Sequence, residues 1–161
     1  MAMPAPNPTI PKTFISSSFE EVEHNEWVKR LATRLKADGV EVTLGLWDRA
    51  QGVSIPLFME RAIRQNDCVI VICTPQFKEK SDERRGVVGY GARIMADYAL
   101  KSGNKKKFIS VLRRGKWSEA APAWLLERPG IDLSEDPSSK AGYEKLLRTL
   151  REARKEAMAR H

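Results

Sequence analysis

The run Cys68-Val-Ile-Val-Ile-Cys73 constrains the fold more than any other segment of this chain. Six consecutive apolar residues, four of them β-branched, make a strand with no polar face, and such a strand must be covered on both sides. That is the signature of a central strand in a parallel sheet flanked by helices. The neighbouring segments supply those helices. Trp27, Leu31 and Leu35 recur at i, i+4 and i+8 within 19–37, with Val28 beside them, and Asp38-Gly39 stops the helix. Val40, Val42, Leu44 and Leu46 alternate with polar residues or glycine as a half-buried strand. Ser54 and Pro56 open a helix expected to turn Leu57, Phe58, Ala62 and Ile63 inward.

Lys12–Ser16 is a first strand, Phe108–Leu112 a fourth and Ile131–Leu133 a fifth. The segment 78–85 is expected to be a charged loop. A helix is expected over 87–100, with Gly86, Gly89 and Gly91 loosening its start. A last amphipathic helix over 141–159 turns Tyr143, Leu146, Leu147 and Leu150 inward. Strands alternating with helices at this length predict an α/β, flavodoxin-like five-stranded parallel sheet of order 2-1-3-4-5 with helices on both faces. The expected organisation is a loose leader over 1–11, a domain over 12–138, and a basic amphipathic helix over 139–161 packed on it.

The remaining composition excludes several functions. In a strand, Cys68 and Cys73 face opposite sides roughly 16 Å apart, beyond disulfide reach. Two thiols and two histidines (His24 and His161) do not make a tetrahedral zinc site, so both cysteines are read as core and no metal is expected. No segment has the apolar length of a membrane span, and a cytoplasmic location without a membrane partner is expected. The formal charge of +7 resides entirely in residues 101–161. No aromatic platform of the kind single-strand binders use interleaves the lysines, so these cations are read as a solvated face and direct nucleic-acid binding is not expected. Lys105, Lys106 and Lys107 are read as solvated, His24 as exposed, and Trp117 and Trp124 as packing residues.

Doubly wound sheets bind ligands beyond the carboxyl ends of their strands, here at 16–19, at 74–77 and on the loop after the second strand. A phospho-receiver needs acidic residues after strand one and an aspartate ending strand three. This chain has Ser16-Ser17-Ser18 and Cys73-Thr74 instead. Ser17-Ser18-Phe19-Glu20 lacks the glycine of a flavin phosphate loop, and Gly86, Gly89 and Gly91 do not form the dinucleotide fingerprint.

The pattern that remains resembles a TIR domain of the bacterial kind close to the SEFIR group. Seven pieces match in order. TFISSS is similar to the opening strand F-I-S-Y-S, and Glu26-Trp27-Val28 with Leu31-Ala32 and Leu35 to the first helix. Gly39 to Val42 leads into strand two, and Leu46-Trp47-Asp48, Gly52 and Phe58-Met59-Glu60 resemble the BB loop and the helix behind it. DCVIVICTP matches strand three and its Thr-Pro end. Gly89-Tyr90 and Ile94 stand where the family has G-Y-E and an apolar helix, and Phe108 onward matches the end.

The resemblance implies association through the BB loop into a homo-oligomer or filament, with Leu46, Asp48, Arg49, Gly52 and Ile55 as contacts. It also implies a setting of immune or anti-phage signalling, in which a sensor is either a subunit in another chain or part of a longer polypeptide of which this sequence is an excerpt. NAD+ is the implied substrate or ligand, with no tightly bound cofactor. Many relatives cleave its nicotinamide–ribose bond with a glutamate that follows the tyrosine of G-Y-E. In this chain that position is Gly91, and a second acidic position before Leu46-Trp47 is Gly45. The sugar cation that forms in the cleavage needs a fixed anion beside it, so little activity is expected.

Asp48 is the best remaining acid. Asp97 is expected to face elsewhere on its helix, and Asp82 and Glu83 lie on the expected loop. Ser16, Ser17 and Ser18 either hydrogen-bond a nucleotide or form a local turn. Trp47 stacks on a base, anchors a partner or covers the sheet edge, and Tyr90 completes the implied ligand contacts. Two alternatives stay open: an NAD+ glycohydrolase using Asp48 or a partner-completed site, and a basic adaptor for a nucleic-acid- or nucleotide-sensing partner.

Overall fold

A computed structural model describes residues 10–45, 54–84, 86–102, 105–125, 130–135 and 139–159. The expected leader, apart from residues 10 and 11, and the BB-loop residues Leu46, Trp47, Asp48, Arg49 and Gly52 lie outside the described residues. The elements are β1 (Lys12–Ser16), α1 (Val22–Ala37), β2 (Glu41–Leu44), α2 (Ile55–Gln65), β3 (Cys68–Cys73), α3 (Pro75–Asp82), α4 (Gly86–Ser102), β4 (Phe108–Leu112), α5 (Trp117–Ala120), β5 (Gly130–Asp132) and α6 (Lys140–Ala159). The five strands form one sheet of order β2-β1-β3-β4-β5. All pairs are parallel, with Phe14 opposite Val69 and Val69 opposite Phe108.

Every residue of β3 is buried, as its two apolar faces require. One face, with Ile15, Cys68, Ile70 and Val111, packs under α1 and α6. The other, with Phe14, Val69, Cys73 and Phe108, packs under α2, α3, α4 and α5. The two cysteines thus point to opposite layers, and burial pushes each thiol up to about 12. Tyr143 of α6 donates to Asp38 Oδ2 at 2.5 Å, and Arg154 pairs with Asp67 at 3.3 Å, so α6 is tied to the end of α1 and to the start of β3. Among the described residues no helix is long and apolar enough to cross a membrane, and no cluster of metal-ligating side chains occurs.

Local chemistry sets the helix ends. The Ser54 hydroxyl accepts from the Leu57 amide at 3.3 Å, and Gly39 ends α1 at φ +88°. Several expectations need correction. Helix α1 begins at Val22, not Phe19, because the Asn25 side chain holds both the amide and the carbonyl of Glu20. Residues 78–82 are helical, not a loop. Thr74 caps α3 through the Phe77 amide at 3.0 Å, Pro75 starts it, and Phe77 and Ser81 bury one face.

Leu57 is 40% exposed, and Met59 takes the inward position. The fifth strand starts at Gly130, one residue earlier than expected. Gly89 and Gly91 are buried inside α4 and do not loosen a loop. Lys107 is buried, with its ammonium donating to the Asn66 carbonyl at 2.6 Å.

Candidate functional site: a cavity beyond β1 and β2

A cavity of about 380 Å³ opens beyond the carboxyl ends of β1 and β2. Its floor is apolar. Phe14 of β1 and Phe58 of α2 meet edge to face, with ring centroids 5.9 Å apart, and Leu44 and Met59 flank them. Ser16 and Ser17 line it because β1 ends there, and Phe19 closes one side. The first turn of α4 supplies Gly86, Val87 and Val88, one turn further on comes Gly91, and α3 supplies Lys80. Gly45 stands directly after β2 at φ +21°, where a Cβ would lie 3.5 Å from the Ile15 carbonyl.

The structure therefore brings Ser16, Ser17, Gly45 and Gly91 to one cavity. Other singled-out residues stay outside it. Ser18 is buried and donates to the Glu20 carboxylate. Tyr90 is 44% exposed and does not line the cavity, and Asp97 is exposed. Ile55 packs partly against the layer beneath α2. Asp82 is held at the end of α3 by Lys78 at 2.8 Å and by the Ala123 amide at 3.3 Å, so it is not the free loop acid expected. Among the described lining residues Lys80 is the one charged side chain, and none is a carboxylate.

Beside the cavity lies a polar cluster that the sequence did not reveal. The Glu20 carboxylate accepts from Thr74 Oγ1 at 2.7 Å and from Ser18, tying the loop after β1 to the start of α3. Arg114 reaches Glu20 at 3.9 Å and bonds Glu21, while Arg113 lies 4.7 Å over the Trp27 ring. His24, expected to be exposed, is fully buried, with Nε2 3.6 Å from Glu20 Oε2 and neither ring nitrogen within a hydrogen bond. Glu20 and Arg114 are far apart in the chain, so no local spacing announces the contact. Lys80 did carry a signal: Thr74-Pro75 before Phe77 and Ser81 is a helix start that places Lys80 on a folded helix.

Burial holds the His24 imidazole below its ordinary range; Glu20 opposes this, Arg114 adds to it, Glu21 opposes it and Arg113 adds to it. The neutral ring is therefore the native form. The unfolded chain takes up a proton near pH 6.5 that the folded chain does not, so stability is full above that pH and falls as pH drops below it. Urea unfolding at pH 7.5 and 5.5 should show a loss of at most about 1.4 kcal/mol across the two units. His24→Gln should flatten that slope, and a midpoint independent of pH in the parent chain would contradict the assignment.

Comparison with known proteins agrees with this architecture. A sequence profile of the TIR domain family (TIR_2) matches residues 14–147. A prokaryotic SEFIR domain of known structure is 32% identical, with a TM-score of 0.70 over 87% of this chain and 92% of that one. The TIR domain of the Toll-related receptor TRR-2 from Hydra magnipapillata shares the fold at 19% identity and a TM-score of 0.64, over 86% of this chain and 97% of that one. The SEFIR domain of interleukin-17 receptor B does so at 17% identity and 0.58, over 89% and 98%. No curated protein matches the sequence. The profile spans β1 to α6 and the sheet has the order the sequence predicted, so this chain belongs to the TIR domain family, a family of signalling modules.

Proposed function

We propose that this protein signals by association, with further copies of itself or with a sensor subunit, and that it does not cleave NAD+. One observation carries the reading: the cavity beyond β1 and β2 has glycine at both positions where the family resemblance calls for acids, Gly45 and Gly91, and no carboxylate among its described lining residues. Breaking the nicotinamide–ribose bond builds positive charge on the sugar, and one missing electrostatic stabiliser commonly costs about 10²–10³ in rate. Two missing stabilisers leave a cavity with the outline of an NAD+ site and no carboxylate among its described lining residues to stabilise that charge.

Association is the function left to the framework, in a defence setting of the anti-phage type. We assign it to the segment 46–55, docking head to tail on a neighbour; such heterologous contacts propagate into filaments unless the geometry closes.

Two measurements test this. Concentrated protein with NAD+ under crowding should release no nicotinamide above the protein-free control. Turnover that disappears in Asp48→Ala would replace this reading with that of a hydrolase. Light scattering should rise with protein concentration, and Arg49→Glu should abolish the rise. Scattering that stays at the monomer value across the range would remove association.

A further inference from the structure

We propose that the cavity beyond β1 and β2 binds a small organic monoanion with an apolar, preferably aromatic, body. This goes beyond the association reading and does not rest on it. A volume of about 380 Å³ lies at the small end of ligand pockets, which suits a compact molecule. The Phe14–Phe58 edge-to-face pair with Leu44 and Met59 gives that molecule an apolar slot. Ser16 and Ser17 supply hydroxyls at one wall.

Among the described lining residues the charge has one sign. Lys80 is half-buried, lines the cavity and pairs with no carboxylate among the described residues. Lys78, on the same helix, is neutralised by Asp82 at 2.8 Å. An ammonium at the edge of an apolar cavity gains from a counter-ion, and within the described lining only a ligand can supply one. The first turn of α4, which also lines the cavity, holds no acidic residue, so its amide end adds to the positive potential that Lys80 sets. The same potential disfavours a cationic nicotinamide ring. The described lining is thus inverted in charge relative to a site that stabilises a sugar cation.

The probes are 1-anilinonaphthalene-8-sulfonate and its uncharged counterpart N-phenyl-1-naphthylamine, titrated by fluorescence into the full chain at concentrations where scattering reports monomer. The sulfonate should bind at one site and more tightly than the neutral probe. Lys80→Met should weaken the sulfonate about tenfold or more and leave the neutral probe unchanged. Gly91→Leu, which fills the slot, should abolish both at an unchanged circular dichroism spectrum. Unchanged sulfonate affinity in Lys80→Met overturns the proposal, as does equal affinity for the two probes in the parent chain. The lysine variant decides alone if Gly91→Leu folds poorly, because the Lys80 side chain is only half-buried and lies outside the core. Loss of scattering in Arg49→Glu with probe binding retained separates this site from association.

Discussion

A Gly91→Glu variant should release nicotinamide from NAD+ about 10²–10³ faster than the parent chain. Gly91 lines the cavity from α4, and a Cβ built there meets only the end of Met59, with Cε at 3.2 Å and Sδ at 3.5 Å. A methionine terminus has several rotamers and can give way by the few tenths of an ångström required. Glutamate is also the better helix former by about 0.5 kcal/mol, which offsets part of the cost of placing a carboxylate at this buried position. The side chain then places an anion in the cavity that Ser16 and Ser17 also line, at the position where the family resemblance has its glutamate. Gly91→Gln is the matched control: the same shape without charge should leave the rate at background. A Gly91→Glu chain with an unchanged thermal midpoint and no nicotinamide release would mean that Gly45 or the loop over 46–53 withholds something further. Restoring one acid would then be insufficient.

Two glycines of α4 should respond oppositely to the same methyl group. Gly91→Ala should stabilise the chain by about 0.5–1 kcal/mol, because the helix loses a flexible residue and only Met59 has to adjust. Gly89→Ala should destabilise it by about 3 kcal/mol, at the upper end for overpacking. A Cβ at position 89 falls 2.3 Å from the Arg84 carbonyl carbon, 2.7 Å from its Cα and 2.8 Å from the Lys80 carbonyl oxygen. All three are backbone atoms at the close of α3, and Arg84 already sits at φ +57°. Relief would require moving α3 away from α4, which would carry Lys80 away from the cavity. Thermal or urea midpoints of the two variants decide the matter, and a neutral Gly89→Ala would show that the α3–α4 crossing is looser than described. The contrast also bears on the ligand site, since Gly89→Ala should weaken sulfonate binding through displacement of Lys80.

The sheet was legible because its information is local and periodic. Six apolar residues from Cys68 to Cys73 need two covered faces wherever they occur, and Ser54-Pro56 and Asp38-Gly39 mark helix ends by their own hydrogen-bonding and φ preferences. The cavity lies at the carboxyl ends of the strands, but beyond β1 and β2 and not at the β1–β3 switch point, and of the expected segments 74–77 does not line it. Ser16, Ser17 and Gly45 meet there because β1 and β2 end side by side, and Gly91 reaches the same space from α4.

Other parts of the chain depended on partners distant in sequence. His24 is polar and lies in a helix start rich in charge, so its local pattern is that of a solvated residue. It is buried because Arg113 and Arg114, from the end of β4, close over α1. Lys107 belongs to a run of three lysines, yet it is drawn inside by the Asn66 carbonyl and lies 5.7 Å over the Tyr98 ring. The hydrophobic period says which face of an element is apolar. It does not say which buried polar group will find a partner, since that partner arrives only when the sheet closes.

The sequence by itself determined the layers, the strand order and the absence of the family's glutamate. Each is written in side-chain period or in residue identity at a matched position. The tertiary structure alone decided that residues 78–82 form a helix which turns Lys80 toward the crevice, that Gly89 is a contact between backbones while Gly91 is open to a side chain, and that Glu20 joins the loop after β1 to α3. These are distances between segments far apart in the chain, and only packing the helices against the sheet sets them.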